Sequence, residues 1–220
     1  MEKLVNVAAV MTAPRYEAVY ARNQIEHALQ AVGIPLAISG GVFYGQCMQR
    51  MFSDVCSRDA EYVLTVDFDS MFTAAHVRRL LNIIVQEDEI DALAAAQPMR
   101  GKGRMLASNH VHEEIEWTGR PIKVATAHFG LTIISCERLR KLAKPWFCSV
   151  PDPEGDWGDG KIDDDVSFWK QWENAGNSLY VDPGTRLGHL EEMITVFDEQ
   201  MNPQHLYPKE WEATRDRTVD

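Results

Sequence analysis

The sequence predicts an α/β fold: one Rossmann-like domain with a mostly parallel central sheet flanked by helices, and a smaller C-terminal region. Three observations predict it. Short apolar runs alternate with stretches of helical apolar spacing between residues 4 and 96. The first three runs lead into Pro14, Gly40-Gly41 and Asp67-Phe68-Asp69, where loops at a sheet rim belong. The 220 residues, 45% hydrophobic and 25% charged, are about one domain's worth and can bury a core without disulfide or zinc staples.

Residues 4–10 read as a buried strand, and Thr12-Ala13-Pro14 as the loop that ends it. Ala18, Ala21, Ile25, Ala28, Leu29 and Val32 follow helical spacing, and Gly33 suits the C-terminal cap. Residues 34–38 form a second strand. Tyr44, Cys47, Met48, Met51, Phe52 and Val55 make the apolar stripe of a second helix, with Gln46, Gln49, Arg50 and Ser53 opposite. Residues 62–66 are a third strand, running straight into Asp67. Val77, Leu80, Leu81 and Ile84 mark a third helix, and residues 90–96 a fourth strand. Ligands in such folds bind beyond the carboxyl ends of the strands, which puts residues 12–16, 40–44 and 67–69 on one rim.

The second half is less regular. Residues 100–104 are a Gly/Lys/Arg loop whose Arg100, Lys102 and Arg104 could attract an anionic acceptor, though a solvated loop is the plainer reading. Residues 131–135 read as a strand and 136–142 as a short helix. Residues 151–161, rich in Gly, Pro and Asp, form a loop. Residues 163–175 read as a helix with Val166, Trp169 and Trp172 inward, closed by Gly176. Residues 179–181 and 186–189 read as short strands around an Asp182-Pro183-Gly184 turn, with Asp182 as turn former. The tail after Glu191 carries Phe197, Tyr207 and Trp211 and is expected to pack over the body.

The net charge is −11, from 33 acids and 22 bases, which argues against nonspecific nucleic-acid binding as a bulk property. No apolar run is long enough to span a membrane, and no secretory leader opens the sequence. Cys47, Cys56, Cys136 and Cys148 form no CxxC pair or zinc-finger spacing, so they read as structural thiols of a reduced, cytoplasmic protein.

The acids gather. Alternation along an extended backbone puts Asp67 and Asp69 on one side, with Phe68 turned into the body. Two hard oxygen ligands at a sheet rim suit Mg²⁺ or Mn²⁺. The plainer alternative is that these acids only cap the helix beginning near Thr73. Asp163-Asp164-Asp165 opens a helix, where acids favour the dipole. Three in a row repel one another and exceed what a cap needs; one of them could deprotonate an acceptor hydroxyl. His189 ends a short strand, and a lone histidine is more often a bystander than a ligand.

The ordered set of these motifs resembles the GT-A fold glycosyltransferases, over residues 4 to 190. The stretch from Tyr62 through Asp67-Phe68-Asp69 looks like the DxD strand. Asp164-Asp165-Val166-Ser167-Phe168 looks like the ED-x-x-F element, with Asp164 in place of Glu. Tyr180-Val181-Asp182-Pro183 followed by Leu187-Gly188-His189 looks like the closing strand with its metal-binding histidine. Trp157-Gly158-Asp159-Gly160 is similar to the mobile Trp/Gly loop of galactosyltransferase-type members.

The resemblance implies a division into a 1–190 GT-A-like domain, with a nucleotide-binding half (1–98) and an acceptor half (99–190), and a 191–220 tail. It implies Asp69, His189 and Asp67 around Mn²⁺ or Mg²⁺, and a nucleotide-sugar donor, a UDP-sugar first among them. Asp165 would be the general base of an inverting reaction, Asp164 the next choice and Asp163 the third. In a retaining reaction the same acids would orient sugar hydroxyls. Thr12, Ala13, Pro14, Arg15, Gln46, Arg50, Asp67 and Phe68 would face the nucleotide. His128, Phe129, Gly130, Trp157 and Asp163 would line the acceptor or sugar pocket. The acceptor stays open: a glycan, a metabolite, a protein or a modified base.

Two rival readings keep their place. A strand ending in DxD also resembles the haloacid dehalogenase phosphatases, whose first Asp is a nucleophile. A non-catalytic nucleotide-sugar binder could use the same fold.

Overall fold

A computed structural model describes residues 5–13, 17–101, 103–109 and 115–215. The first half runs β1 (Val7–Ala13), α1 (Val19–Gln30), β2 (Leu36–Gly40), α2 (Tyr44–Cys56), β3 (Tyr62–Asp67), β4 (Ser70–Met71), α3 (Ala74–Gln86) and β5 (Ala92–Ala96). Next come β6 (Ala107–Ser108), β7 (Ile122–Lys123), β8 (Thr126–Ala127), β9 (Leu131–Ser135), α4 (Cys136–Lys141) and α5 (Asp164–Asn174). The chain closes with β10 (Leu179–Arg186), β11 (Gly188–His189), β12 (Ile194–Phe197), β13 (Pro203–Leu206) and α6 (Pro208–Arg215).

The central sheet has seven strands in the order β2-β1-β3-β9-β5-β10-β7. Strands β2, β1, β3, β5 and β10 point one way, while β9 and β7 run against them. The predicted mostly parallel α/β sheet is therefore present, with β9 reversed between β3 and β5.

Side chains alternate to two faces, and both are covered. Val10, Val63, Ala92, Ala94 and Ala96 face α2, α4 and α5. Ala9, Met11, Leu64, Val66 and Leu93 face α1 and α3. The small alanines of β5 leave room for an aromatic core on the first face, where Phe52, Phe129, Phe147, Phe168 and Trp169 meet with ring centroids 4.8–6.4 Å apart. Helix α3 starts where expected: the Thr73 side chain accepts from the His76 amide, and the His76 ring accepts from the Thr73 amide. Gly33 and Gly176 follow α1 and α5 with φ of +71° and +79°, the left-handed values that glycine adopts without strain.

Four details differ from the sequence reading. Thr12 and Ala13 belong to β1 rather than to a loop. The inward stripe of α5 is Phe168, Trp169 and Trp172, while Val166 is half-buried, because a helix starting at Asp164 turns the 168/169/172 face to the core. Asp182-Pro183-Gly184 is not a turn between strands but a bulge within β10, where the pairing jumps from Asp182↔Ala95 to Arg186↔Ala96. Phe197 is exposed on the β12–β13 hairpin, and Cys148 is exposed on a loop. No described helix is long and apolar enough to cross a membrane.

Candidate functional site

The site forms where β3 ends. Strand β1 lies beside it in register, with Thr12 opposite Asp67 and, on its other side, opposite Ser39. Thr12 and Asp67 are thus neighbours on the rim. The chain then turns through Phe68, which packs against the α1–α3 face, and presents Asp69. Strand β4 pairs antiparallel with β11, His189 opposite Ser70, and the Leu190 amide donates to the Asp69 carbonyl at 2.9 Å. This short ladder brings His189, far along the chain, to Asp69.

Asp69 is buried, with 5% of its surface exposed. Its Oδ2 touches the Arg100 guanidinium and lies 3.4 Å from His189 Nε2. Its buried Oδ1 has no hydrogen-bond partner among the described residues. The His189 ring is oriented from behind: Nδ1 lies 3.0 Å from the Pro98 carbonyl, and Nε2 accepts from Arg100 Nε at 3.0 Å. The Pro98 carbonyl can only accept, so Nδ1 carries a proton toward it, and the Nε2 lone pair points at Arg100 Nε beside Asp69. Two lone pairs, Asp69 Oδ2 and His189 Nε2, therefore converge on a spot filled by a guanidinium cation. Arg100 sits on a turn whose next residue, Gly101, donates its amide to Glu191 Oε1 at 2.8 Å. Among the described residues no three His, Cys, Asp or Glu side chains are placed to hold a metal ion together. Asp69 and His189 converge as a pair, and Asp67 is not a third ligand in this arrangement.

Burial pushes the Asp67 carboxyl up to about 6, with His189 and Arg100 pulling it down and Asp165 pushing it up further. Asp165, in the first turn of α5, is also raised, first by burial and then by the charges of Asp163 and Asp164, against the Val166 amide that donates to its Oδ1 at 2.8 Å. The Tyr44 phenol is raised well above its ordinary value by burial and by Asp67, Asp165 and Asp164. Tyr44, Asp67, Asp164 and Asp165 therefore share one electrostatic neighbourhood.

The two neighbouring aspartates of α5 are used differently. Asp164 Oδ2 accepts from the Gly45 amide at 3.1 Å and its Oδ1 from Ser149 Oγ at 2.8 Å. A Cβ on Gly45 would run into the Asp164 carboxylate, so any larger residue there would displace that side chain from the Gly45 amide. Asp163 is exposed and pairs with Lys161 Nζ at 3.2 Å.

Other predicted residues lie elsewhere. His128 is in the core: Nε2 lies 2.7 Å from the Ala95 carbonyl, Nδ1 accepts from the Gly130 amide at 2.8 Å, and burial lowers its pKa to about 4. Phe129 stacks on Trp169 at 5.1 Å, and Gly130 is buried with its carbonyl accepting from the Asp67 amide at 3.3 Å. Both His128 nitrogens and the stacked face of the Phe129 ring are engaged in core packing. Trp157 is 60% exposed on its loop. Gln46 is exposed, and Arg50 donates to Ser39 Oγ at the end of β2. Pro14 and Arg15 lie outside the described residues. Sequence reasoning put Tyr44 on the rim and Arg100 in a basic loop but gave neither a role at the site; the available signal was that each follows a strand's carboxyl end.

No protein-family model and no curated protein sequence matches the chain. Solved structures do. The crystal structure of A197 from STIV superposes with a TM-score of 0.60 over 92% of this chain and 94% of that one, at 12% identity. The crystal structure of GalNAc-T7 with UDP, GalNAc and Mn²⁺ superposes with a TM-score of 0.50 over 86% of this chain and 44% of that one, also at 12% identity. The likeness is one of fold.

Proposed function

We propose that the chain is a GT-A-type glycosyltransferase that moves a sugar from a nucleotide-sugar donor to an acceptor hydroxyl, with a divalent ion. One observation carries the reading: Asp69 and His189 aim lone pairs at one cation-filled spot at the strand rim, beside Asp67 and within the field of Asp165. The GalNAc-T7 fold neighbour, crystallised with UDP and Mn²⁺, supports a UDP-sugar as the first donor to try.

The residues fit Mn²⁺ or Mg²⁺. A carboxylate oxygen suits both ions, and an imidazole nitrogen beside it favours the transition-metal Mn²⁺ over the harder Mg²⁺; the unpaired Asp69 Oδ1 is a spare ligand atom, and the Pro98 carbonyl fixes the histidine tautomer as an outer-shell partner does. When bound, the ion supplies positive charge for the departing diphosphate. Asp69 and His189 would hold it, after Arg100 leaves the spot. Asp67 and Thr12 face the nucleoside side of the rim. Asp165 takes the acceptor's hydroxyl proton through its raised carboxylate. The acceptor oxygen bonds to the anomeric carbon as the bond to the diphosphate breaks, and the nucleoside diphosphate departs with the bonding pair. Asp164 positions Asp165 by tying the α5 N-terminus to α2 and Ser149.

The test is a panel of UDP-, GDP-, CMP- and TDP-sugars with and without Mn²⁺, reading thermal stabilisation and sugar release. Stabilisation by one nucleotide only with the ion is expected. No response to any nucleotide would overturn the reading, and nucleotide binding with no turnover under any acceptor would leave a binder. Asp165→Asn should bind donor normally and lose transfer.

A further inference from the structure

Beside the site, a cleft of about 480 Å³ opens at the carboxyl ends of β5 and β10. That is the volume range of small-molecule sites. Pro98 is the shared wall: it lines the cleft, and its carbonyl holds the His189 ring at 3.0 Å. A ligand in the cleft is therefore one residue away from the cation spot. The opposite wall is the β10 bulge with Pro183 and Arg186. That wall is rigid: buried Asp182 ties it to Arg79 and Thr185, and the Leu187 amide donates to the Ala96 carbonyl at 2.8 Å.

The chemistry of the lining is specific. Arg104 and Arg186 both line the cleft, and among the described residues no aspartate or glutamate does. This is against the grain of a chain with 33 acids and 22 bases. Arg186 is held on the wall by its Nε, which donates to the Pro183 carbonyl at 3.2 Å. Guanidinium forks match phosphate and carboxylate groups. Trp117, 38% exposed, adds a flat apolar face of the kind that covers the C–H face of a sugar ring.

We propose that this cleft is the acceptor subsite and that it takes an anionic sugar, one bearing a phosphate or a carboxylate. The acceptor role rests on the glycosyltransferase reading; the anion preference rests on the cleft alone.

The experiment is saturation-transfer NMR on the full chain without nucleotide, with glucose 6-phosphate, glucuronate and glucose as probes. UDP binding with Mn²⁺ is titrated in parallel on the same preparation. Signal from an acidic sugar at least fivefold above glucose is expected, and the stronger of the two acids identifies the anionic group. Arg104→Met combined with Arg186→Met should weaken that signal about tenfold. Trp117→Ala should weaken glucose 6-phosphate and glucuronate alike, and unchanged melting curves confirm folded variants. Lysine replacements at the two arginines should restore part of the signal. Equal signal from glucose, or an unchanged double variant, would overturn the anion preference. UDP binding with no sugar probe bound would overturn the cleft and leave the transferase reading standing. Acidic sugars bound with no nucleotide response would overturn the acceptor role together with the transferase reading.

Discussion

Asp69 and Asp182 are both buried aspartates, each facing an arginine carried on another element. At Asp182 every acceptor is used. Arg79 donates through Nε at 2.6 Å and Nη2 at 3.1 Å, Thr185 Oγ1 at 2.6 Å and the Gly184 amide at 3.1 Å. Burial would raise this carboxyl, but these donors outweigh it and hold it below the usual carboxylate range. At Asp69 one oxygen has no partner among the described residues, and the other shares its cation with a histidine lone pair. A buried polar group with its bonds filled is architecture. One left short of partners, as Asp69 Oδ1 is beside a histidine lone pair, calls for an explanation that a bound ion would supply.

The largest effect should come from breaking the unfilled site. Asp69→Ala should abolish ion-dependent nucleotide binding and slow transfer on the order of 10³-fold, since metal charge stabilisation supplies several kcal/mol. The melting temperature should change little, because loss of the pairing with the half-exposed Arg100 is offset by removal of a partnerless buried oxygen. Calorimetric titration of UDP with and without Mn²⁺, alongside a melting curve, checks both halves. A lowered melting temperature with binding intact would make Asp69 a second Asp182.

Asp182→Ala should behave the opposite way. Breaking a buried pair costs about 3–5 kcal/mol. The Arg79 side chain is 47% exposed and can return to water, so the loss should be about 2–3 kcal/mol. For a chain of this size that lowers the melting temperature by about 5–10 °C, with donor binding retained below the transition. The pH dependence follows from the lowered folded-state pKa. The stabilisation is fully present above the unfolded carboxylate value, near 4, and is lost as pH falls through the lower folded value. The stability gap between wild type and Asp182→Ala should therefore be widest near neutrality and close in acid, as chemical denaturation from pH 7 to pH 2.5 would read.

Arg100→Ala sharpens the comparison from the cation's side. If the guanidinium occupies the ion's place, removing it should tighten Mn²⁺ binding about tenfold without nucleotide, roughly 1.4 kcal/mol. Free Mn²⁺ followed by electron paramagnetic resonance measures this without turnover. Affinity that stays the same or falls would show that Arg100 is not a competitor. Arg79→Ala, in the same assay, should leave Mn²⁺ affinity alone.

Much of this arrangement is legible in the sequence, and the parts that are not share a cause. The order of strands and helices follows from local apolar spacing, and Asp67 and Asp69 stand out because they abut an apolar run. His189 reaches Asp69 through the β4–β11 ladder, which motif order suggests but periodicity does not. The direction of β9 is invisible locally, since the apolar spacing of Leu131-Thr132-Ile133-Ile134-Ser135 marks a strand without saying which neighbours it runs against; pairing with β3 and β5 decides it. Asp182-Pro183-Gly184 has the local chemistry of a turn and makes its Gly184 amide bond to Asp182, yet pairing with β5 resumes at Arg186 and turns it into a bulge. His128 and Phe129 look like site residues in a glycine-bearing segment, but the core takes both.

The α5 N-terminus repeats the contrast on adjacent residues. Asp164 has both oxygens occupied, by Gly45 and Ser149, whereas Asp165 keeps a raised carboxyl toward Asp67 and Tyr44. Ser149→Ala removes one hydroxyl from Asp164 and touches nothing on Asp165. The bond is charge-assisted but only partly buried, so its loss should cost about 1 kcal/mol and about 2–4 °C in melting temperature. If Asp164 only positions its neighbour, transfer should slow a few-fold in kcat, with KM for the donor unchanged and the acid limb of the pH–rate profile displaced. A donor KM that rises with kcat unaltered would assign Asp164 to the donor pocket instead, and the division of labour between the two aspartates would have to be reversed.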